Sequence, residues 1–345
     1  RLQIKQCRIN MDIRAQGRRI RKAKDDLRSL VDDQFHKTLL ALPLTGILVF
    51  TVLPIIFMVL VAFTNYDNIF DGRAKLFSWV GFEYFGELFN FEKGGLGLAV
   101  RELLLWTLVW AFFATFSNYF LGMGVAMIIN KKGIHGKKFW RTCLVMTIAI
   151  PQFVSLLYVS KMFAENGIVN GLLLDWGWIE DVLPFWTEKT WARVSVIVIN
   201  IWIGIPHLML MATGILMNIP ADLYESAKVD GAGPWKQYTK ITLPYMLFVT
   251  GPYLLTQFTG NMNNFNVIYL LTGGGPSMTD AAGVLGAPGR TDLLVTWLFK
   301  MITASEPAAY NLASVIGILV FVVVAGISLI VYNVMPSTRN EEDFQ

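Results

Sequence analysis

Apolar residues run along this chain in long blocks that short polar segments separate. Six blocks reach the roughly 20 residues that a helix needs to cross the hydrocarbon core of a bilayer. The predicted spans are Leu39–Phe63, Leu103–Ile129, Trp140–Phe163, Val194–Met217, Tyr245–Leu271 and Leu312–Val334. Four of them contain a proline, which a membrane bundle tolerates because neighbouring groups can satisfy the freed carbonyls. The pattern predicts an all-α membrane protein with about six transmembrane helices.

Composition and charge agree with a membrane protein and add an orientation. Of the 345 residues, 54% are hydrophobic and only 16% charged, whereas soluble domains carry about 25% charged residues. Residues 1–38 hold 11 Lys and Arg against five Asp, and residues 131–141 hold five basic residues and no acid. Residues 164–190 hold five acids and a single Lys. Because basic loops stay on the inside, we expect a multi-pass membrane protein with both termini in the cytoplasm.

This topology divides the chain into three parts. They are a basic cytoplasmic segment at 1–38, a transmembrane domain at 39–334 and a cytoplasmic tail at 335–345. The basic run at 18–22 could bind nucleic acid or anchor the chain at anionic lipid. In so apolar a chain the anchor is favoured, so we expect a lipid bilayer and no nucleic acid as partner. Lys161 and Arg193 fall at outer span ends, where we expect them to snorkel to the interface.

The loop at 218–244, between the fourth and fifth spans, is cytoplasmic in this topology. Asp222 and the run Leu223–Lys228 predict a capped helix, which the turn Asp230–Pro234 ends. Trp235–Thr242 predicts a second short helix before Leu243 opens the fifth span. Several apolar side chains of this loop face a compartment that contains water, so the loop needs a partner surface.

The residues of this loop also form a motif with fixed spacing. Glu225-Ser226-Ala227, then Gly231, then Ile241-Thr242-Leu243-Pro244 resembles the "EAA" loop of ABC importer permeases, with Ser226 standing where alanine is usual. The resemblance implies a protein of the bacterial inner membrane with a coupling helix that docks on an ATPase subunit. It implies contacts at these positions: Glu225, Ser226, Ala227, Asp230, Gly231, Ile241, Leu243 and Pro244. It also implies four partners: a second permease subunit in a heterodimer, two ATPase subunits and an extracytoplasmic solute-binding protein.

The sequence contains no energy source of its own. It has no phosphate-binding loop of the Gly-x-x-x-x-Gly-Lys-Ser/Thr type, and its spans lack the carboxylates typical of a proton-coupled carrier. We therefore expect no enzymatic activity and no cofactor on this chain, with ATP and magnesium bound by partner subunits. The alternative is a stand-alone secondary transporter of a neutral polar solute, which would be recovered without an ATPase or a second permease.

Polar residues inside the fourth and fifth spans are the candidates for a substrate site. Gln257, Gly260, Asn261, Asn264 and Ile268 follow a spacing of 0, 3, 4, 7 and 11, which places them on one helix face. In the fourth span Asn200, Gly204 and His207 share a face. Such amides either bond helices to one another or line a polar cavity. Because amides both donate to and accept from hydroxyls, and no buried Arg or Lys pair accompanies them, a cavity would suit a neutral sugar.

Four further segments resemble the larger permease partner of the maltose/maltodextrin-type importers; they are Asn200–Pro206, Asn261–Asn266, Leu271–Pro276 and Thr291–Val295. The resemblance implies sugar contacts at Asn200, Ile203, Gly204, His207, Gln257, Gly260, Asn261 and Asn264. Three of these depart from the maltose pattern, in which tyrosine, serine and an aromatic residue stand at positions 207, 257 and 260. We therefore expect a malto-oligosaccharide-like or related substrate, longer or differently linked than maltose. The loop Gly273–Ala309 is either a connector or the docking surface for the solute-binding protein.

Overall fold

The computed structural model describes residues 35–66, 78–92, 95–131, 133–281, 283–305 and 308–335. Most of the predicted basic segment at 1–38 and nearly all of the tail at 335–345 lie outside the described residues. The chain divides between Leu60 and Val61 into two units. The described part of the first unit is helix α1, an apolar helix of 27 residues at Phe35–Val61, whose last residue falls in the second unit. A π-helical turn interrupts it at Leu48–Val52.

The second unit is built from helices. In chain order they are α2 Glu83–Glu87, α3 Leu96–Asn130, α4 Lys137–Ala149, α5 Gln152–Met162, α6 Ile168–Asp175, α7 Lys189–Leu216, α8 Ala221–Val229, α9 Pro234–Gln237, α10 Leu243–Met262, α11 Phe265–Thr272, α12 Leu294–Thr303 and α13 Tyr310–Val334. Among the described residues, strand-like pairing is limited to two isolated bridges, Thr64 with Trp79 and Ser277 with Gly289. The predicted all-α membrane fold is confirmed.

Helix α3 is the central element of this unit, because it contributes to all three hydrophobic clusters. Its first turns pack with Trp297 and Met301 of α12 and with α13. Its middle packs with α5, α7 and α11 around Trp110. Its last turns pack with α7 and α10 around Met123. One side of α3 is therefore buried against the other helices, while Phe112, Phe120 and Ile128 on its remaining surface are exposed, as expected for a helix that also faces lipid.

Helices α3 and α7 lie side by side and run in the same direction. At one end the Arg193 guanidinium of α7 bonds the Glu102 carboxylate of α3, and at the other end the Asn130 amide of α3 bonds the Thr213 hydroxyl of α7. Spans two and four of an alternating bundle must run parallel, so this geometry agrees with the predicted order of crossings.

Two predicted spans are broken. The third bends by 91° between α4 and α5, at Ile150 and Pro151. The fifth ends as a helix at Met262 and restarts as α11 at Phe265.

The predicted separate short helix at Trp235–Thr242 is also wrong. There α9, a π-helical turn at 238–242 and α10 follow one another without a break from Pro234 to Met262.

Four described helices are long and apolar enough to cross a membrane, namely α1, α3, α7 and α13. The count is five if the bent pair α4 and α5 forms one span. Helix α10 is 20 residues long, but it carries polar residues such as Gln257 and Asn261 and is less apolar than these four. The chain is thus a multi-pass membrane protein, and the sixth crossing stays a prediction.

Candidate substrate site and coupling surface

The close approach of α3 and α7 depends on one glycine from each helix. A Cβ atom at Gly204 would lie 2.5 Å from Asn118 Nδ2, and one at Gly122 would lie 2.6 Å from Leu208 Cβ. On each helix, a glycine therefore packs against a side chain of the other helix. Asn118 and Gly122 are one turn apart, as are Gly204 and Leu208, so the two contacts follow one another along the interface. Small residues let membrane helices approach in this way.

A small cavity of about 80 Å³ lies beside this contact, between α3, α7 and α10. It brings together three residues predicted for the substrate site, Gly204, His207 and Gln257. Its other lining residues are Ala114, Thr115, Asn118, Tyr119, Leu208, Tyr253 and Leu254. The cavity wall is therefore polar on three helices, and none of its lining residues is Asp, Glu, Lys or Arg.

A larger cavity of about 450 Å³ lies where the third span bends. Predicted residues Ile203, Gly204 and His207 line it, together with Trp202 and, from α5, Gln152 and Ser155. Gly204 and His207 line both cavities, so they form the boundary between the two. A volume of this size is within the range of small-molecule sites.

Asn118, which lines the small cavity, has one side-chain atom that is buried and unpaired. Its Nδ2 donates to the Ala114 carbonyl at 2.8 Å, while its Oδ1 is buried and has no hydrogen-bond partner in the described structure. The neighbouring Tyr119 hydroxyl is already bonded to Thr250 Oγ1 at 2.8 Å. Buried polar atoms are normally paired, so the unpaired Asn118 oxygen beside this cavity is a candidate acceptor for a donor that the described structure does not contain.

The predicted single polar face of the fifth span is wrong, because the helix breaks inside it. Asn264 lies at the N-cap of α11, where its Oδ1 accepts from the Val267 N–H at 3.3 Å. Its Nδ2 donates to Asn261 Oδ1 at 3.2 Å, and Asn261 Nδ2 donates to Thr115 Oγ1 at 3.0 Å. These bonds join the two half-helices to each other and to α3, as the helix-bonding alternative expects. A sugar contact at Asn261 or Asn264 stays a prediction.

The remaining two predicted contacts lie apart from both cavities. Asn200 is buried, lines neither cavity, and its Nδ2 has no partner in the part of the chain that the structure describes. Gly260 is exposed on α10, and a Cβ there would meet no atom within 4 Å. The structure therefore gathers Ile203, Gly204, His207 and Gln257 and leaves Asn200 and Gly260 outside that group.

Sequence reasoning missed the contribution of α3 to this site. Thr115, Asn118 and Tyr119 are polar residues one turn apart in the otherwise apolar second span. Intramembrane polar groups facing a bundle interior are a general indicator of function, and that signal was present. What the sequence could not show is that α3 lies against α7 at Gly204.

Charged residues meet near the N-terminal end of α3, in what we call the Glu102 cluster. Glu102 bonds Lys189 Nζ at 2.7 Å, Arg193 at 3.3 Å and Arg290 at 2.5 Å. Arg290 also pairs with Asp280. The snorkelling predicted for Arg193 is wrong, because its guanidinium bonds Glu102 and lies over the Trp106 ring, 4.5 Å from the centroid. The cluster ties α3 and α7 to the segment before α12.

Asp292 organises that segment. Its side chain is fully buried and accepts from the Gly289 N–H, from Thr296 Oγ1 and from Lys300 Nζ. Burial raises the pKa of this carboxyl above its ordinary value, although the Lys300 ammonium acts in the opposite direction. Gly274 packs directly on the carboxylate, leaving no room for a Cβ. Part of the loop Gly273–Ala309 is thus a folded unit around Asp292.

The predicted coupling loop begins with helix α8, Ala221–Val229. The helix ends at Val229 with Asp230 as its C-cap, and the next residue, Gly231, has a φ of +75°. The Gly231 N–H donates to the Lys228 carbonyl, and the Ala232 N–H donates to the Ala227 carbonyl. These two bonds form a Schellman motif, which needs a left-handed residue at this position. The predicted Asp222 cap is wrong: Pro220 precedes the helix and no side chain caps it.

The eight predicted coupling residues differ in exposure. Glu225, Ser226, Asp230, Gly231 and Pro244 are exposed, whereas Ala227, Ile241 and Leu243 are partly buried. The Tyr224 hydroxyl bonds Thr242 Oγ1 at 2.9 Å and fixes α8 against the start of α10.

Large apolar side chains project from the same loop. Val229 is 88% exposed, Trp235 is 75% exposed, and Leu223 is exposed as well. Exposed apolar groups next to a rigid turn are typical of a docking surface.

Taken together, a helical bundle with a neutral polar cavity and an exposed helical knob is the architecture of a membrane transport permease. Residues 118–340 match the family described as the binding-protein-dependent transport system inner membrane component. The chain belongs to this family, and the resemblance to ABC importer permeases is confirmed. As such a permease it is a non-catalytic membrane subunit and not an enzyme.

Two curated relatives from Bacillus subtilis cover most of the chain. The galactooligosaccharides transport system permease protein GanP is 38% identical over 87% of this chain and 70% of its own length. The maltodextrin transport system permease protein MdxF is 33% identical over 96% of this chain and 76% of its own length. A crystal structure of a bacterial ABC transporter that imports the acidic polysaccharide alginate contains a chain with the same fold. Its TM-score is 0.70 at 23% identity, covering 92% of this chain and 99% of that chain.

Proposed function

We propose that this chain is the permease subunit of an ATP-driven importer of a neutral oligosaccharide, with the sugar held at the two cavities around His207. The observation that carries the proposal is the convergence of Gly204, His207 and Gln257 on one cavity. Relatives named for galactooligosaccharide and maltodextrin transport support the substrate class. A galacto- or malto-oligosaccharide is the expected cargo.

The lining of the cavities supports a neutral cargo. Amide, imidazole and hydroxyl groups from α3, α5, α7 and α10 surround the two volumes, and no lining residue carries a carboxylate, ammonium or guanidinium group. Such groups bond hydroxyls in both directions, whereas an anionic cargo would call for Arg or Lys. The exposed indole of Trp202 adds an aromatic surface to the larger cavity.

The geometry of the loop around α8 supports energy coupling through a partner. Glu225 and Gly231 lie on its exposed surface beside Val229 and Trp235. The proposed partners are a cognate second permease subunit, two ATPase subunits that bind ATP and magnesium, and an extracytoplasmic solute-binding protein. With α8 on the cytoplasmic side, both termini face the cytoplasm.

The substrate proposal is tested by reconstitution. The purified complex, its binding protein and ATP are placed with proteoliposomes, and uptake of labelled galactotetraose and maltotetraose is measured. We expect saturable, ATP-dependent uptake of at least one of them, and a uronate tetrasaccharide should not compete. Uptake without ATP, or recovery of the chain without ATPase and second permease, would instead favour a stand-alone secondary transporter.

The coupling proposal is tested with a matched pair of glycines. Gly231 has φ +75°, whereas Gly233 has φ −66° and open space where a Cβ would lie. Gly231→Ala forces a side chain into a left-handed conformation at a cost of about 1 kcal/mol, which should shift α8 and lower ATP-driven uptake several-fold. Gly233→Ala should retain uptake. Equal uptake by both variants would show that coupling does not depend on the Schellman turn.

A further inference from the structure

The small cavity contains a hydrogen-bond acceptor whose orientation is fixed by the protein. Asn118 Nδ2 donates to the Ala114 carbonyl at 2.8 Å. Because a carbonyl can only accept, the nitrogen must face Ala114 and the oxygen must face away from it. The amide therefore cannot flip to satisfy Oδ1, and Oδ1 stays buried without a partner in the described structure.

The same amide is held in place by the backbone of α7. The side chain of Asn118 occupies the space that a Cβ at position 204 would take, with three of its atoms 2.5–2.7 Å from that point. Asn118 is only 7% exposed. An amide held on both sides presents its oxygen in one direction, so it can discriminate between groups that reach it.

The sizes of the two cavities indicate which part of a sugar could reach this oxygen. The larger cavity, about 450 Å³, is in the size range of small-molecule sites. The smaller one, about 80 Å³, exceeds the roughly 10–15 Å³ needed for one water, but it is well below that range. It therefore suits a substituent and not a ring, and Gly204 and His207 separate the two volumes.

Two hydroxyl groups of the small cavity are already bonded. Tyr119 is bonded to Thr250, and the Thr115 hydroxyl accepts from Asn261. Gln257 remains as the second amide of the cavity. An amide N–H of Gln257 could donate to a hydroxyl oxygen while the hydroxyl hydrogen is donated to Asn118, which is the pairing that one alcohol group can satisfy.

We propose that Asn118 is a specificity-determining residue of the sugar site, and that its Oδ1 accepts a hydrogen bond from a hydroxymethyl or hydroxyl group that enters the small cavity past His207. The inference rests on the proposed function. A group without a donor hydrogen, such as the carboxylate of a uronic acid, would place negative charge against the amide oxygen. Asn118 thus selects a neutral sugar and rejects its oxidised counterpart.

The test uses the reconstituted complex and tetrasaccharide probes. Wild-type uptake is measured for galactotetraose and maltotetraose, for a panel of monodeoxy analogues of the one transported, and for its terminal uronate. We expect one deoxy position to lower kcat/KM about tenfold, the order expected for one lost hydrogen bond, and the uronate to be excluded. A wild-type complex that transports every deoxy analogue like the parent would overturn the proposal.

Two variants separate a sugar contact from a structural role. Asn118→Leu removes the acceptor at similar size, and it should transport parent and deoxy analogue with equal kcat/KM. Asn333→Leu is the control, since Asn333 makes the same type of bond to the carbonyl four residues back, and it should keep the wild-type ratio. If Asn118→Leu keeps the tenfold ratio, Asn118 does not contact the sugar.

The two levels of failure are distinguishable. If wild type transports neither parent tetrasaccharide, the proposed function fails. If the wild-type complex transports a parent tetrasaccharide and all of its deoxy analogues with the same kcat/KM, only the role of Asn118 fails. Co-purification with the partner subunits reports whether Asn118→Leu assembles; should it not, Asn118→Ala and the wild-type panel still decide the question.

Discussion

The glycine contacts between α3 and α7 allow a stability prediction with an internal control. A Cβ at Gly122 would lie 2.6 Å from Leu208 Cβ and 3.3 Å from two backbone atoms of α7. Two carbons prefer about 3.5–4.0 Å, so the contact is short by about 1 Å. A Cβ atom cannot rotate away from its own backbone, so Gly122→Ala must push the two helices apart.

The control is Gly124, two residues further on the same helix, where a Cβ would meet nothing within 4 Å. Replacing glycine by alanine inside a helix gains about 1 kcal/mol in either position. Overpacking costs about 1–3 kcal/mol and applies to Gly122 alone. Because the gain in helix propensity is the same for both variants, Gly122→Ala should be less stable than Gly124→Ala by about 1–3 kcal/mol.

The assay is unfolding of the purified chain in detergent by increasing mole fraction of SDS, followed by circular dichroism. The midpoint for Gly122→Ala should fall below that of Gly124→Ala, and sugar uptake should fall with it, because the contact between Asn118 and Gly204 lies one turn away. Equal midpoints for the two variants would refute the account of this interface, since they would mean that α3 and α7 do not depend on the glycine.

Three further predictions concern the polar contacts outside the cavities. Glu102→Gln leaves its basic partners without a carboxylate and should lower the midpoint of SDS unfolding in low salt. Because salt screens the lost ion pairs, 0.5 M NaCl should reduce this decrease. A decrease of the same size at both salt concentrations would contradict the prediction. Because burial raises the pKa of Asp292, the folded state holds a proton that the unfolded chain releases. Stability should therefore fall as pH rises from the ordinary pKa to the raised one, and Asp292→Asn should flatten that dependence in thermal unfolding. Tyr224→Phe removes the bond to Thr242 and should lower the ratio of sugar transported to ATP hydrolysed, while an unchanged ratio would show that this bond does not position α8.

The hydrophobic pattern was sufficient to predict the bounds of the long apolar helices. α3, α7 and α13 begin and end within seven residues of their predicted bounds, because bilayer thickness and apolar length determine such helices. The Gly231 turn was equally local: glycine after a short amphipathic helix predicts a left-handed residue, and φ +75° confirms it.

The breaks in the third and fifth spans were not readable from periodicity. An apolar run continues through Pro151, and polar residues at helical spacing continue past Asn263, so a spacing rule assumes that the helix continues in both places. At the break in the fifth span, Asn264 caps α11 by accepting from the Val267 N–H, and Asn261, just before the break, donates to Thr115 of α3. The Asn264 cap is local, but Thr115 lies 146 residues from Asn261, so the break also depends on tertiary contacts.

By itself the sequence determined an all-helical membrane protein, its family and a coupling motif, because each depends on residues close together in the chain. Only the tertiary structure decided which polar groups meet. Glu102 and Arg290 are 188 residues apart and bonded, and Asn118 lies on Gly204 although the two are 86 positions apart in the chain. Such pairs arise from the parallel packing of α3 and α7 and from the fold around Asp292. A one-dimensional pattern cannot specify them, since it records which face of a helix is polar and not which helix that face will meet.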